Sequence, residues 1–320
     1  MRVPVRLGLQ IPSFELGGIE PEALFSKLVD IAATAERSGF DSLFVMDHLH
    51  QIPGVGSPEQ RMLEGNTALA ALAARTERLQ LGLMVGSVTY RNPALHAKIT
   101  TTLDVISGGR AIHSLGAGWY EEEHRAYGYE FPPLKERFER LEDALRISRA
   151  MFTQESATVE GRHYRVEGAL NTPRPLRGDV PILVGGSGER KTLRLVAQYA
   201  DGCNVFGDPE QIRHLMGVLD AHCEDVGRDP GEITRTRLGT LAIADTHEEA
   251  ERRFAAWPDR ANLDPERLKA VLVLGDPDEV VEQVRALLDA GIEGLVFNMP
   301  DPRDLDTVAL AGETLTRALG

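Results

Sequence analysis

The sequence has few cysteines, no concentrated block of basic residues and no long apolar run. Cys203 and Cys223 are the two cysteines, and they lack CxxC spacing, so we expect free structural thiols in a reducing cytoplasm. A formal charge of -14 argues against nucleic acid or an anionic membrane as partner, because both require a basic face. No apolar stretch approaches the ~20 residues of a membrane helix, and MRVPVRLGLQIP lacks the apolar segment of a secretion signal. We therefore expect a small-molecule partner.

Short apolar segments alternate with amphipathic segments along most of the 320 residues. The alternation predicts a single α/β domain over residues 1–320, folded as a closed parallel (β/α)8 TIM barrel, with an open doubly wound sheet as the alternative. A charged helix and a hairpin form a predicted insertion at about 120–180, and residues 245–274 form a polar, lid-like segment. The eight predicted strands cover residues 5–11, 42–46, 79–86, 111–115, 181–185, 202–206, 237–244 and 294–298.

An acid and an imidazole follow the second predicted strand. The uncharged segment Ser42–Met46 runs directly into Asp47 and His48. Barrel enzymes keep their catalytic residues at the carboxyl ends of the strands, so both side chains are candidate site residues. The same pattern also fits a turn cap at Asp47 and an ordinary surface histidine at His48.

Two glycine-rich turns also follow predicted strands. In GGSGERK (185–191) a strand ends and a helix begins, an arrangement that can bind a phosphate through backbone N–H groups. The turn lacks the GK[ST] sequence of a Walker loop and the spacing of a dinucleotide-binding fingerprint. GAGW (116–119) is the second turn. Either set of glycines also fits a purely steric requirement of a barrel turn.

Two short motifs of metal-binding type are incomplete. His48 and His50 form an HxH pair, but the later strand ends do not supply the further ligands that a metal-dependent hydrolase needs. Glu121 and His124 form one ExxH pair, whereas a di-iron site requires a second. We therefore predict no metal site.

Five segments along the chain are considered together: DHLHQ, LGLMVGSVTYRNPALHAK, TTLDVISGGRA, GAGWYEEEHRAYG and PILVGGSGERKTLRLVAQYADG. They resemble the luciferase-like flavin and deazaflavin oxidoreductases, specifically the branch that depends on coenzyme F420. The resemblance covers essentially the whole chain, and the segments occur in the order and at the spacings of the family. It implies the same barrel, with an isoalloxazine-type ring lying across the strand ends.

The resemblance also implies roles for individual residues. Asp47 and His48 match the pair beside the deazaflavin ring, where His48 would donate or accept a proton and Asp47 could pair with it. A hydride would pass between F420 and a small organic substrate, and the protein would be a homodimer. Ser87 and Val88 match a bulge that carries a non-proline cis peptide. The two cofactor turns match Gly116, Ala117 and Gly118, and, for the phosphate, Gly185, Gly186, Ser187 and Gly188.

One departure from the family affects the expected substrate. The sugar-phosphate dehydrogenases of this branch have a glutamate acid where this chain has Trp119, which argues against sugar-phosphate chemistry. Glu122 is the predicted replacement acid, with Glu64 as the other candidate. Two alternative functions stay open: an FMN-dependent monooxygenase using O2 and reduced flavin from a reductase, and a catalytically silent flavin-binding barrel. The Asp47–His48 pair argues against the silent barrel.

Overall fold

The computed structural model describes residues 1–257 and 264–319 and contains strands and helices in alternation. The strands are β1 (Leu7–Ile11), β2 (Ser42–Val45), β3 (Gln80–Leu83), β4 (Gly86–Ser87), β5 (Ala111–Gly116), β6 (Ala157–Glu160), β7 (Arg165–Ala169), β8 (Ile182–Gly185), β9 (Gly202–Val205), β10 (Thr234–Ile243), β11 (Leu272–Gly275) and β12 (Gly294–Asn298). The helices are α1 (Pro21–Ser38), α2 (Gly65–Ala73), α3 (Pro93–Ser107), α4 (Glu121–Tyr127), α5 (Leu134–Thr153), α6 (Thr192–Tyr199), α7 (Pro209–Val226), α8 (His247–Ala255), α9 (Pro265–Val271), α10 (Pro277–Asp289) and α11 (Leu305–Leu319).

Eight parallel strands close into a barrel, which confirms the predicted (β/α)8 fold over the open sheet. The order around the barrel is β12, β1, β2, β3, β5, β8, β9 and β10, and the pairing of β10 with both β9 and β12 closes the ring. The second half of β10 pairs with β11, a strand that the sequence pattern did not predict. The carboxyl ends of all eight strands therefore meet at one mouth, where a site can form.

Side chains that alternate along the strands fill two different volumes. One set points into the barrel and forms a small apolar cluster that includes Phe44, Ile112, Leu183 and Val296. The other set packs outward against the helices and belongs to a much larger apolar core. This two-sided burial explains why the strands are nearly continuous apolar runs, as expected for a parallel sheet covered on both faces.

The predicted insertion contains α4, α5 and an antiparallel hairpin of β6 and β7, close to where the sequence predicted a helix and a hairpin. The predicted lid-like segment, residues 245–274, includes α8, α9 and the start of β11, and its residues 258–263 lie outside the described part of the chain.

Both cysteines are free and buried, as predicted, and burial raises the pKa of the Cys203 thiol to about 12. In residues 1–257 and 264–319, the apolar length needed to cross a bilayer is not reached by any helix.

Two buried histidines behind the barrel make a pH-dependent contribution to stability. The rings of His96 and His113 lie 4.7 Å apart, and His113 bonds the hydroxyls of Thr100 (2.8 Å) and Ser148 (2.9 Å). Burial lowers the pKa of His96 to about 3 and lowers the pKa of His113 well below its ordinary value. Both rings are therefore neutral in the folded protein at pH values where they are protonated in the unfolded chain.

We expect the free energy of unfolding to fall as the pH drops below about 6.5, by roughly 1.4 kcal/mol per pH unit for each of these histidines. The contribution is fully present above the unfolded-state pKa and is lost toward acid, because only the unfolded state takes up the protons there. Urea unfolding between pH 7 and 5 measures the slope. His96→Phe should lower this slope by roughly the 1.4 kcal/mol per pH unit that one histidine contributes. His214→Phe, at an exposed position, should leave the slope unchanged. An unchanged slope in His96→Phe would contradict the assignment.

Candidate active site

Asp47 lies at the mouth of the barrel and is held by an arginine. Its carboxylate accepts two hydrogen bonds from the Arg91 guanidinium (2.7 and 2.8 Å) and one from the Ser87 backbone N–H (2.7 Å). Asp47 is buried, and the Arg91 side chain is 12% exposed. Burial alone would lower the pKa of Arg91, but the contact with Asp47 outweighs burial and raises it. Asp47 therefore bonds to Arg91, and its described hydrogen bonds do not include His48.

The carboxylate that contacts His48 belongs to Glu123. The Glu123 side chain is fully buried, and its oxygens accept hydrogen bonds from His48 Nδ1 (2.9 Å), the Tyr90 hydroxyl and the backbone N–H groups of Leu49 and His50. Burial raises the pKa of Glu123, but these hydrogen bonds outweigh burial and bring it below its ordinary value. Burial and the bond to Glu123 raise the pKa of Tyr90. At neutral pH we therefore expect the Glu123 carboxylate to be ionised and the Tyr90 hydroxyl to be neutral.

This arrangement determines which nitrogen of His48 carries the proton. An ionised carboxylate only accepts hydrogen bonds, so the Nδ1 atom facing Glu123 must be the donor. In a neutral imidazole, Nε2 then has a lone pair and can accept a proton. His48 is therefore set up to exchange a proton through Nε2.

Aromatic rings surround the exposed side of His48. The Trp119 ring lies edge-on at 5.7 Å and the Tyr120 ring at 6.1 Å, and the two aromatic rings stack on each other. Trp119 is 55% exposed, whereas Tyr120 is buried. The chain thus places a large apolar surface beside His48, at the position where the resemblance expects an acid.

The bulge after β3 lies between the two glycine turns. A Cβ atom on Gly116 or on Gly185 would come within 2.8 Å of the methyl groups of Val85, so neither position has room for a side chain. The cis peptide joins Met84 and Val85, and the prediction of a cis peptide at Ser87–Val88 is wrong. The error arose because β3 ends at Leu83, three residues before the predicted strand end.

The residues predicted for that bulge and for the turn GAGW have other neighbours. The Ser87 hydroxyl bonds Thr89 (2.7 Å), whose hydroxyl in turn bonds His124 Nε2 (2.6 Å). Gly118 has φ +75°, and a Cβ there would lie 2.8 Å from both hydroxyl oxygens, so only glycine fits. The side chains of Val88 and Ala117 pack in the apolar core outside the barrel.

The turn after β8 is less open than predicted. The Gly186 N–H donates to the Asn204 carbonyl (2.9 Å), and the Ser187 hydroxyl accepts from the Phe206 N–H (3.0 Å). α6 begins at Thr192, directly after the sequence GGSGERK (185–191). Within the described residues, the backbone N–H groups of Ser187 and Gly188 have no assigned acceptor, so both donors are available to an anion.

Sequence reasoning missed Glu123, Tyr90 and Arg91. It chose Glu122, which is exposed and lies 3.4 Å from the Tyr120 hydroxyl, and Glu64, which caps α2 and lies 3.6 Å from Arg91. The available signal was weak: Glu123 is the last of three consecutive glutamates, and only the phase of α4 decides which one points inward. Among the described residues, no group of three or more His, Cys, Asp or Glu side chains is arranged to hold a metal ion.

Comparison with known proteins places this site in a family context. A family model described as luciferase-like monooxygenase matches residues 5–265. An F420-dependent glucose-6-phosphate dehydrogenase from Microbacterium testaceum (strain StLB037) is 30% identical, over 98% of this chain and 97% of its own length. An F420-dependent secondary alcohol dehydrogenase, solved with an F420–acetone adduct, has a TM-score of 0.81 at 19% identity and full coverage of both chains. The monooxygenase RslO1 from Streptomyces bottropensis has a TM-score of 0.80 at 21% identity, covering 98% of this chain and 100% of its own.

Proposed function

The chain belongs to the luciferase-like monooxygenase family, and from this we propose that it is an F420-dependent oxidoreductase that moves a hydride between the deazaflavin and a small organic substrate. The single observation that carries the proposal is His48 at the barrel mouth, with its proton held on Nδ1 by Glu123. The activities named for the relatives support the choice of cofactor.

The residues around the mouth fit a flat ring. The methyl groups of Val85 fill the space where Cβ atoms of Gly116 and Gly185 would lie, so these three residues pack closely together, and we propose that a flat ring lies against the surface they form. Gln10 Oε1 and Asn298 Oδ1 are buried at the mouth and have no hydrogen-bond partner among the described residues, which is consistent with a polar ligand there. When bound, F420 supplies the ring carbon that accepts or donates the hydride. We propose that Val85 and the neighbouring turns Gly116–Gly118 and Gly185–Gly188 hold it.

We propose that His48 exchanges the proton that accompanies hydride transfer, through Nε2. Glu123 is a positioning residue in this proposal, because it contacts His48 and holds the ring in one tautomer and orientation. Asp47 and Arg91 hold the Ser87 segment beside the mouth. The assignment of Glu122 as a second acid stays a prediction.

An FMN-dependent monooxygenase is the second candidate, because the fold is shared with RslO1. Titration of the purified protein with F420 and with FMN, followed by quenching of tryptophan fluorescence, separates the two. Trp119 at the mouth is the expected reporter. We expect F420 to bind more tightly than FMN, and tight binding of FMN without binding of F420 would favour the monooxygenase.

The turn Gly185–Gly188 is our proposed site for the cofactor's phosphate, through the N–H groups of Ser187 and Gly188. Gly186 has φ +127°, which L side chains rarely adopt, so Gly186→Ala should distort the turn and displace these donors. We expect the Kd for F420 to rise by roughly tenfold or more, as the loss of one or two charge-assisted hydrogen bonds requires.

The matched control for this substitution is Gly217→Ala. Gly217 lies on the exposed side of α7, where an added Cβ meets nothing within 4 Å, so F420 affinity should be unchanged. If Gly186→Ala binds F420 with the same Kd as the parent, the phosphate must bind at another part of the mouth.

We also propose the setting in which the protein works. The resemblance to the F420 branch supports a homodimer, and a reductase that returns the cofactor to its reduced form fits a reaction running toward substrate reduction. Two buried free thiols are consistent with the reducing cytoplasm. We propose a single domain over residues 1–320, because one barrel includes strands from β1 near the start of the chain to β12 near its end.

A further inference from the structure

One oxygen atom of Glu123 is shared between His48 and Tyr90. Glu123 Oε2 accepts from His48 Nδ1 at 2.9 Å and from the Tyr90 hydroxyl. The other oxygen, Oε1, accepts from the backbone N–H groups of Leu49 and His50. A carboxylate has two lone pairs on each oxygen, so these four donors fill its accepting capacity. His48 and Tyr90 therefore divide the charge of a single atom between them.

The Tyr90 hydroxyl is held on this oxygen by closely packed surroundings. Tyr90 is 8% exposed, and its ring centroid lies 4.7 Å from that of His124 and 5.6 Å from that of Tyr129. The Glu123 side chain is fully buried, so solvent is not at hand to replace the tyrosine as a donor. The bond from Tyr90 is therefore a fixed part of the environment of this carboxylate.

The other ionisable side chains near His48 have their own partners. Arg91 holds the Asp47 carboxylate with two hydrogen bonds, which leaves one carboxylate in contact with the imidazole. The His50 ring contacts Tyr127. Protonation of His48 therefore depends chiefly on the carboxylate in contact with it and on the other donors to that carboxylate. The remaining ionisable side chains hydrogen-bond groups other than the imidazole, and they are Glu59, Glu64, Tyr120, Glu122 and His124.

A second donor on the shared oxygen changes how strongly that oxygen attracts the proton of the imidazole. The Tyr90 O–H stabilises the negative charge on Oε2, so the same oxygen attracts the His48 Nδ1 proton less strongly. Without that donor, the carboxylate would stabilise the doubly protonated imidazolium more, because a contacting opposite charge favours the charged form. Tyr90 therefore favours the neutral imidazole, in which Nε2 has a lone pair.

We propose that Tyr90 is a positioning residue for the proton step: by bonding Glu123 Oε2, it keeps His48 neutral, with Nε2 free to accept a proton, at lower pH than Glu123 alone would allow. The tyrosine acts through the carboxylate, which its hydroxyl bonds. The catalytic part of this inference rests on the proposed oxidoreductase function, whereas the effect on the imidazole does not.

Tyr90→Phe removes the hydroxyl and keeps the ring. We expect the midpoint of the His48 titration to rise by about 0.5–1 pH unit, a roughly three- to tenfold increase in proton affinity. NMR of the protein with 15N-labelled histidines, free of cofactor and substrate, measures the midpoint and shows which ring nitrogen carries the proton. The signals of His48 are those that His48→Ala lacks. The proton of the neutral ring should stay on Nδ1 in both proteins, because the bond to Glu123 remains.

Tyr199→Phe is the matched control. The Tyr199 hydroxyl on α6 donates to Glu142 on α5 at 3.2 Å, so this substitution removes the same kind of hydrogen bond without touching Glu123. The midpoint of His48 should not change. A second variant keeps the test informative if Tyr90→Phe does not fold: 3-fluorotyrosine in place of Tyr90 retains the bond. Fluorine makes the phenol a stronger donor, so here the midpoint should fall.

The pH dependence of catalysis gives an independent measurement. In the direction in which His48 accepts the proton, the acid limb of the kcat/KM profile should move upward in Tyr90→Phe by the same amount as the NMR midpoint. The Kd for F420 should stay within about twofold of the parent, since the substitution leaves the glycine turns unchanged. A role in packing alone would lower the rate at every pH and leave the limb in place.

The positioning role is overturned by an unchanged or lowered midpoint in Tyr90→Phe, by an equal rise in Tyr199→Phe, or by an acid limb that does not move. A raised midpoint with 3-fluorotyrosine would also contradict it. Failure of the proposed oxidoreductase function appears separately, as a parent protein that does not bind F420, because the titration of His48 requires no cofactor.

Discussion

His48→Ala should lower turnover by roughly 10²–10⁴-fold while changing the affinity for F420 only modestly. The large factor is the usual contribution of a positioned acid–base group, and it follows from an Nε2 atom left open by the Nδ1 bond to Glu123. The cofactor keeps its contacts with Val85 and the two glycine turns, so binding and rate should separate. Steady-state assays of F420 absorbance, with an alcohol or ketone that the parent converts, measure the rate.

His50→Ala is the matched control, because His50 lies two residues further on and contacts Tyr127, so its loss should leave turnover within a few-fold of the parent. Glu123→Gln should have an intermediate effect and alter the pH–rate profile, since the amide no longer requires the proton to stay on Nδ1. If His48→Ala keeps near-parental turnover, the prediction is wrong. The imidazole would then only contact the ring, and the proton would come from Glu122, Glu64 or solvent.

Arg91→Met should produce the largest loss of stability, about 3–5 kcal/mol in the free energy of unfolding. The substitution leaves the Asp47 carboxylate, whose side chain is 2% exposed, with the Ser87 N–H as its remaining hydrogen-bond donor among the described residues. A buried charge without its partner is costly, whereas removal of both charges is not. Urea denaturation at neutral pH measures the change, and Asp47→Asn combined with Arg91→Met should recover much of it.

The control for this prediction is Arg61→Met. Arg61 makes an equally short ion pair with Glu15, but both side chains are about one-third exposed, so solvent replaces the lost contact. We expect a loss below about 1 kcal/mol. If Arg91→Met and Arg61→Met lose equal amounts of unfolding free energy, burial does not make the loss of the Arg91 partner more costly, and the prediction is wrong.

The sequence by itself determined the barrel and the location of the candidate site within it. Helix ends followed by turns and apolar strands are local signals, and eight of them in alternation leave a closed parallel barrel as the simplest fold. The same local signals placed Asp47, His48 and two glycine turns directly after strands, so their position at the mouth followed from chain order. The hairpin in the insertion was predictable for the same reason.

Only the tertiary structure decided which side chains contact each other at that mouth. Successive residues of a helix point about 100° apart, so the packing of α4 against the barrel buries Glu123 and leaves Glu122 in solvent. Arg91 reaches Asp47 from 44 residues away. The end of β3 at Leu83, which places the bulge at Val85, depends on its neighbours β2 and β5, and β11 exists as a strand through its pairing with β10. These features depend on contacts between distant segments, which local patterns of hydrophobicity and turn residues do not encode.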